Sequence, residues 1–374
     1  MKMYLATLST LLLAFASVTQ GQQTHHQLPM DHMSGLLNLI ETIPLPTEGY
    51  MDHMTLDSKG QRLFICGENN NSLIVVDLKA GKVIHETKGL SGNPRKPFYL
   101  ADTDEVWVDL GDGHVISVSG STYEQTKSIE LPGHGDPKRV PDGGAYDPAA
   151  HLYYAGVSAD TGNKGAIEIV DTKAAKYVGS IQVNGSEPAA LALEPSGKKL
   201  YVGMGDVVNG ESKLEVIDLE KRAVVAEWQI TGGPQPHTAS VDAAHHRLFI
   251  GSRRQGGHQG EPGAFVVMNT DTGKVIQALD SVGGADEVQF DPLTGRIYFV
   301  GTTGTLAVYK QMDPDHYQLL GKVPTGAIGK TGLWVPDLKR LYVAVPRHIV
   351  ETPPYGPRDY ITEEAHLMVF GYLP

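Results

Sequence analysis

Along most of this chain apolar and polar residues alternate in short runs, and one run keeps returning. A polar or charged residue is followed by three apolar ones, rich in aromatic and β-branched types. The copies are Leu63-Phe64-Ile65, Val106-Trp107-Val108, Leu152-Tyr153-Tyr154, Leu200-Tyr201-Val202, Leu248-Phe249-Ile250, Ile297-Tyr298-Phe299 and Leu341-Tyr342-Val343. From first residue to first residue the spacings are 43, 46, 48, 48, 49 and 44. Short runs of this composition between Gly-bearing turns read as strands. A period in the forties fits a propeller, with about four strands per blade.

Each unit parses alike. In the first, strands are predicted over 51–57, 62–66, 73–78 and 83–87, with turns at Ser58-Lys59-Gly60-Gln61 and Lys79-Ala80-Gly81-Lys82. Asp171, Asp218 and Asn269 recur at the last turn of their units, so they read as turn chemistry rather than catalysis. The last unit supplies only three strands after residue 328, over 331–335, 340–345 and 366–370; its fourth is expected from 36–46. Pairing the N-terminal strand with the last blade removes an open edge. The expected fold is therefore all-β: a seven-bladed β-propeller of four antiparallel strands per blade, closed by the N-terminal strand.

The start of the chain follows another pattern. Met1-Lys2-Met3-Tyr4 leads into an apolar run over 5–18 and a small, polar exit. That is the layout of a secretory signal peptide, and the run is short of the roughly 20 apolar residues of a membrane span. The expected organisation is a signal peptide over 1–21, a flexible tail over 22–35 and one propeller domain over 36–374. The mature protein is expected to be secreted and monomeric, with Asn70 and Asn184 as glycosylation sites if the host is eukaryotic.

Composition narrows the partners. A net charge of −12 argues against nucleic-acid and anionic-membrane surfaces, which call for a basic footprint. The lone Cys66 excludes an internal disulfide framework and a cysteine-based zinc site.

The repeated Lys/Arg-Leu-Tyr-Val strand, Val-Ile-Asp strand and Gly-Lys-Val turn resemble the YVTN-type β-propeller repeat. Lys199-Leu200-Tyr201-Val202-Gly203 and Glu215-Val216-Ile217-Asp218 carry the likeness, which spans about 36–372. It implies the fold and leaves the activity open, because propellers of this type include binding proteins, lyases and hydrolases.

Innermost strands of a propeller converge on one channel, so residues distant in sequence can meet at its mouth. Aligning the units on their aromatic runs sets Asp52/His53, Arg95/Lys96, Asp142/Gly143, Ala189/Ala190, His237/Thr238, Asp286/Glu287 and Thr331/Gly332 in equivalent places, with Glu187 and Lys330 just upstream. His53 and His237 are the candidate acid/base groups, since imidazole changes charge near neutral pH. Asp142, Asp286 and Glu287 are candidates to orient them or share protons. Arg95, Lys96 and Lys330 are candidates to hold an oxyanion. The alternative is structural: polar residues that solvate a channel and tie blades together by ion pairs.

Three loops between second and third strands are long. One carries Arg253, and one, over 347–364, carries Tyr355 on a proline-stiffened stretch that would cover an apolar ligand. Phe98 and Trp334 fall at matching positions of innermost strands, either as a pocket wall or as core. Met30-Asp31-His32-Met33 is echoed by Met51-Asp52-His53-Met54, a copper-like pairing of ligands, but three or four ligands do not assemble from spacing, and no metal site is assigned. The chain has no Gly-x-Ser-x-Gly elbow, no phosphate loop and no His-Glu-x-x-His. What remains is chemistry by positioning and proton transfer, without a cofactor, on a small-molecule substrate.

In length and layout the chain also looks like secreted fungal hetero-Diels–Alderases of tropolone sesquiterpenoid pathways. That resemblance implies dehydration of a hydroxymethyl tropolone to a quinone methide, then cycloaddition with a humulene-type alkene. A second reading is a non-catalytic exported propeller that binds a peptide, a metal or a surface partner.

Overall fold

The turns of each repeat are chemically specified, and they set its strands. At the first turn of blade 1, Asp57 accepts a hydrogen bond from the Gly60 amide at 2.9 Å. Asp242 accepts from His245 at 3.3 Å and Asp291 from Leu293 at 3.1 Å in the same place of their blades. The residue entering the second strand is left-handed, as at Gln61 (φ 53°), His246 (φ 56°) and Lys339 (φ 52°). At the last turn Asp77, Asp171, Asp218 and Asn269 each accept from amides two or three residues on. These short polar side chains replace a missing backbone partner.

The computed structural model describes residues 36–160, 162–205, 212–253, 262–351 and 360–372. The expected signal peptide and tail, the Met30-Asp31-His32-Met33 copy and Tyr355 lie outside them. The described residues form seven four-stranded antiparallel sheets in a ring. Their innermost strands are Met54–Asp57, Pro94–Leu100, Pro141–Asp147, Pro188–Leu193, Pro236–Asp242, Ala285–Asp291 and Thr331–Val335, in blades 1 to 7. Each packs on the next, and the first packs on the last.

Blade 7 is completed by Asn38–Pro44, which lies outside His366–Gly371 in the register Asn38↔Gly371 to Pro44↔His366. Two described stretches within 347–364 differ from the loop expected there. His348–Glu351 pairs with Tyr360–Glu363 as a separate ribbon. The prolines at its centre suggest a loop, but the β-branched and aromatic residues flanking them favour strands.

Side chains alternate across each strand, so every blade feeds two apolar layers, one shared with each neighbour. Phe64, Leu73 and Val75 of blade 1 meet Val106, Val108 and Ile116 of blade 2. Leu63, Ile65 and Ile74 meet Ile43, Leu367 and Val369 across the closing seam. The core is thus a set of radial layers, and the channel axis is left to polar groups.

One irregularity repeats where the innermost strands of blades 1 to 6 begin. The pairing register shifts between Pro94 and Pro97, Pro141 and Gly144, Pro188 and Ala190, Pro236 and Thr238, and Ala285 and Glu287. In blade 1 the Asp52 amide donates to the Cys66 carbonyl at 2.9 Å while the Cys66 amide donates to the His53 carbonyl at 3.1 Å, so two residues face one. These are β-bulges. Four open on proline, which is tolerated at the first residue of a strand.

Candidate active site

A bulge turns a side chain off the alternating pattern. Here the bulged residues are Asp52/His53, Arg95/Lys96, Asp142/Gly143, Ala189, His237 and Asp286. Blade 7 has no such shift at Thr331, and Lys330 just before it takes the equivalent place. The structure brings Asp52, His53, Arg95, Asp142, His237, Arg253, Asp286 and Lys330 together around one cavity of about 560 Å³. That volume falls in the range of small-molecule sites, roughly 300–1,000 Å³.

Glu68 also lines the cavity and was not anticipated. It opens the loop after the second strand of blade 1, five residues beyond Leu63; Arg253 is five beyond Leu248. Two charged residues in one column of the aligned repeats were the available signal.

Lys330 is the hub of the site. Its Nζ lies 3.3 Å from Asp52 Oδ2, 3.3 Å from Glu68 Oε2 and 3.6 Å from Asp286 Oδ2. Burial alone would lower its pKa, and these carboxylates overcome that and raise it. Arg95 Nη1 lies 2.8 Å from Glu68 and 3.4 Å from Asp52, and Arg253 pairs closely with Asp286. Burial pushes the Asp52 and Asp286 carboxyls up. Lys330 above all, with His53 and Arg95 at Asp52 and with Arg253 and His237 at Asp286, brings both below the usual carboxylate range. These ion pairs therefore tie blades 5, 6, 7, 1 and 2 together.

Each histidine has a carboxylate partner. His53 Nδ1 lies 2.7 Å from Glu287 Oε2, and Gln289 Nε2 donates to Glu287 Oε1 at 3.0 Å. An ionised carboxylate only accepts, so Glu287 fixes the proton on Nδ1 and leaves Nε2 as the second face of the ring. Burial and Lys96 depress the His53 pKa, while Glu287 and Asp52 outweigh them and raise it. His237 Nε2 lies 3.2 Å from Asp286 Oδ1. Lys96 is 4.0 Å from Glu287.

Asp109 is a second site-adjacent group that the aligned repeats did not bring forward. It is fully buried, accepts from the Lys96 amide at 2.5 Å and from Tyr153 Oη at 2.8 Å, and burial pushes its pKa up to about 6. Its proton stabilises the fold fully below the unfolded value of 3.8, and that contribution is lost as pH rises through about 6. Asp109→Asn keeps one acceptor for Lys96 and offers a donor to Tyr153. At pH 8 the variant is expected to be more stable than the parent by about 2 kcal/mol in urea unfolding, with the gain gone at pH 4. Equal stability at both pH values would contradict the buried proton.

The remaining candidates fall elsewhere. Phe98 stacks on Tyr153 (4.4 Å between ring centres) and Tyr146 (4.8 Å), and Trp334 stacks on Tyr298 (4.8 Å). Both belong to inter-blade layers, and neither lines the cavity. Asn70 and Asn184 are exposed, with Lys164 Nζ 3.1 Å from the Asn184 amide oxygen. Among the described residues no group of three or more His, Cys, Asp or Glu side chains is arranged to hold a metal ion.

Solved structures agree on the architecture. One titled Kuenenia stuttgartiensis hydrazine synthase superposes with a TM-score of 0.68 at 19% identity, covering 86% of this chain and 97% of its own. One titled crystal structure of the mitotic checkpoint complex gives 0.67 at 15% identity, covering 90% and 96%. Both likenesses are of fold. No protein-family model and no curated protein matches the sequence.

Proposed function

We propose that the protein is a secreted, cofactor-independent enzyme that performs acid–base chemistry on a small molecule in the mouth cavity. The observation that carries this reading is the His53–Glu287 contact of 2.7 Å beside a cavity of about 560 Å³. A carboxylate that fixes the imidazole tautomer is the arrangement of a positioned general base. His237 beside Asp286 offers a second such group from another blade.

The particular reaction we propose is the hetero-Diels–Alder sequence. A protonated histidine gives its proton to the leaving hydroxyl of a hydroxymethyl tropolone as the C–O bond breaks. The other imidazole takes the ring hydroxyl proton, and water and a quinone methide result. Cycloaddition with a humulene-type alkene then forms two bonds with no further proton transfer. The polar lining suits the dehydration, and Tyr50 and Ile328 supply apolar contact at the cavity.

The test is incubation of the purified protein with a hydroxymethyl tropolone and humulene. The expected result is one adduct stereoisomer formed faster than in buffer. Adducts matching the buffer control in rate and stereochemistry would overturn the reading. A second reading, a binding propeller without turnover, draws on the saturation of Lys330 and Arg95 by carboxylates, which leaves these two cations little charge to offer a ligand.

A further inference from the structure

The charges of the mouth are not evenly matched around the ring. Asp52 and Asp286 are nearly inaccessible, at 2% and 3% side-chain exposure, and each has a cation within 3.3 Å. Asp142 is 33% exposed, and its nearest cation among the described residues, Arg95, is 3.8 Å away. The described lining carries Asp52, Glu68, Asp142 and Asp286 against Arg95, Arg253 and Lys330. With the two histidines set aside, one carboxylate is in excess, and Asp142 is the one with the most distant cation.

Beside Asp142, just beyond the residues that line the cavity, the side chains are small. The residue after Asp142 is Gly143, held at φ 106°, where an added Cβ would meet only the Ala189 carbonyl oxygen, at 3.6 Å. The bulged residue of blade 4 is Ala189, the one bulge whose side chain is a methyl. Glu187, the neighbouring charged residue of blade 4, packs its carboxyl against Gly205. Between Asp142 of blade 3 and His237 of blade 5 the bulges therefore contribute no side chain larger than a methyl. The other blades fill that position with long or charged groups.

We propose that this sector is the ligand's seat. A hydrogen-bond donor of the ligand, hydroxyl or ammonium, lies against Asp142, and the adjoining carbon skeleton occupies the notch over Gly143 and Ala189. Gly143 and Ala189 then set the size of the fragment admitted, and Asp142 selects a donor over an anion. The proposal rests on the reading of the mouth as the functional site. It adds where the ligand sits and which end of it is recognised.

Binding of three probes of like size to the full protein, followed by ligand-observed NMR and isothermal titration, tests it without reference to turnover. Benzylamine carries an ammonium, benzyl alcohol a hydroxyl, and phenylacetate an anion with no donor. At least one of the first two is expected to bind at least tenfold more tightly than phenylacetate, and the tighter one names the donor. Asp142→Ala is expected to weaken that probe at least tenfold, and Ala189→Leu to weaken it comparably by filling the notch. If Ala189→Leu fails to fold, Asp142→Ala, at a residue one-third exposed, still decides the question. Phenylacetate binding as well as both donors, no binding by any probe, or unchanged donor affinity in Asp142→Ala would each overturn the assignment. Probe binding with these effects alongside an absence of adduct formation would uphold the seat and reject the cycloaddition, so the two failures are distinguishable.

Discussion

Replacing Lys330 with methionine is expected to cost about 3–5 kcal/mol at pH 7, the range for removing one partner of a buried ionic group. Methionine keeps the volume and removes the one ammonium that faces Asp52, Glu68 and Asp286 together. The pH dependence identifies the cause. In the parent, Asp52 and Asp286 have depressed folded pKa values, so they contribute stability above their unfolded value of 3.8 and lose it as pH falls through the depressed folded values. Without Lys330 the largest opposing charge at both carboxyls is gone, and Arg95 and Arg253 are left to hold them against burial. Their folded pKa values are expected to rise, and the stability they supply at neutral pH to shrink. The deficit should therefore be largest near pH 7 and shrink toward pH 4, as read by urea unfolding at each pH. A deficit constant with pH would mean that packing, not charge, is what Lys330 supplies.

His53→Asn and His237→Asn are each expected to lower adduct formation by about 10² or more, the lower end for loss of a positioned acid or base. Glu287→Gln separates positioning from bulk. The amide still accepts from Nδ1 but no longer carries the charge that helps raise the His53 pKa. A base works only when neutral, so the acid limb of the parent's rate profile should lie above the ordinary imidazole value of 6.5. Glu287→Gln should move that limb to lower pH while the protein remains folded. An unmoved limb would show that His53 is not the titrating base, even if the His53→Asn variant is slow.

The fold was legible because its period is carried by large apolar groups. Each anchor run puts an aromatic at the same depth, and Trp107, Tyr153, Tyr201 and Tyr298 are all fully buried. Once the period was set, the innermost strands could be aligned, which placed Asp52, His53, Arg95, Asp142, His237, Asp286 and Lys330 at one mouth. The bulge was not legible, since it is a backbone offset of one or two residues and leaves no mark on alternation. It explains why Asp52 and Arg95 face the cavity while Phe98, a little further along its strand, packs between blades. Asp109 was legible in principle. Its equivalents in the other blades are Cys66, Ala155, Gly203, Gly251, Val300 and Ala344, so a carboxylate there stands out in a small and apolar column.

The pairing of Asn38–Pro44 with His366–Gly371 also dictates a timetable. The strand that seals the ring is made before the strands of the other six blades, and its partner after them, more than 300 residues later. Throughout synthesis the early strand is an unpaired edge, with Leu39 and Ile40 at its surface even in the finished ring. Six blades can assemble as the chain emerges, but the seventh must wait for His366–Gly371. A chain stalled or cut shortly before residue 366 would hold every other strand of the ring and still be an open, adhesive arc.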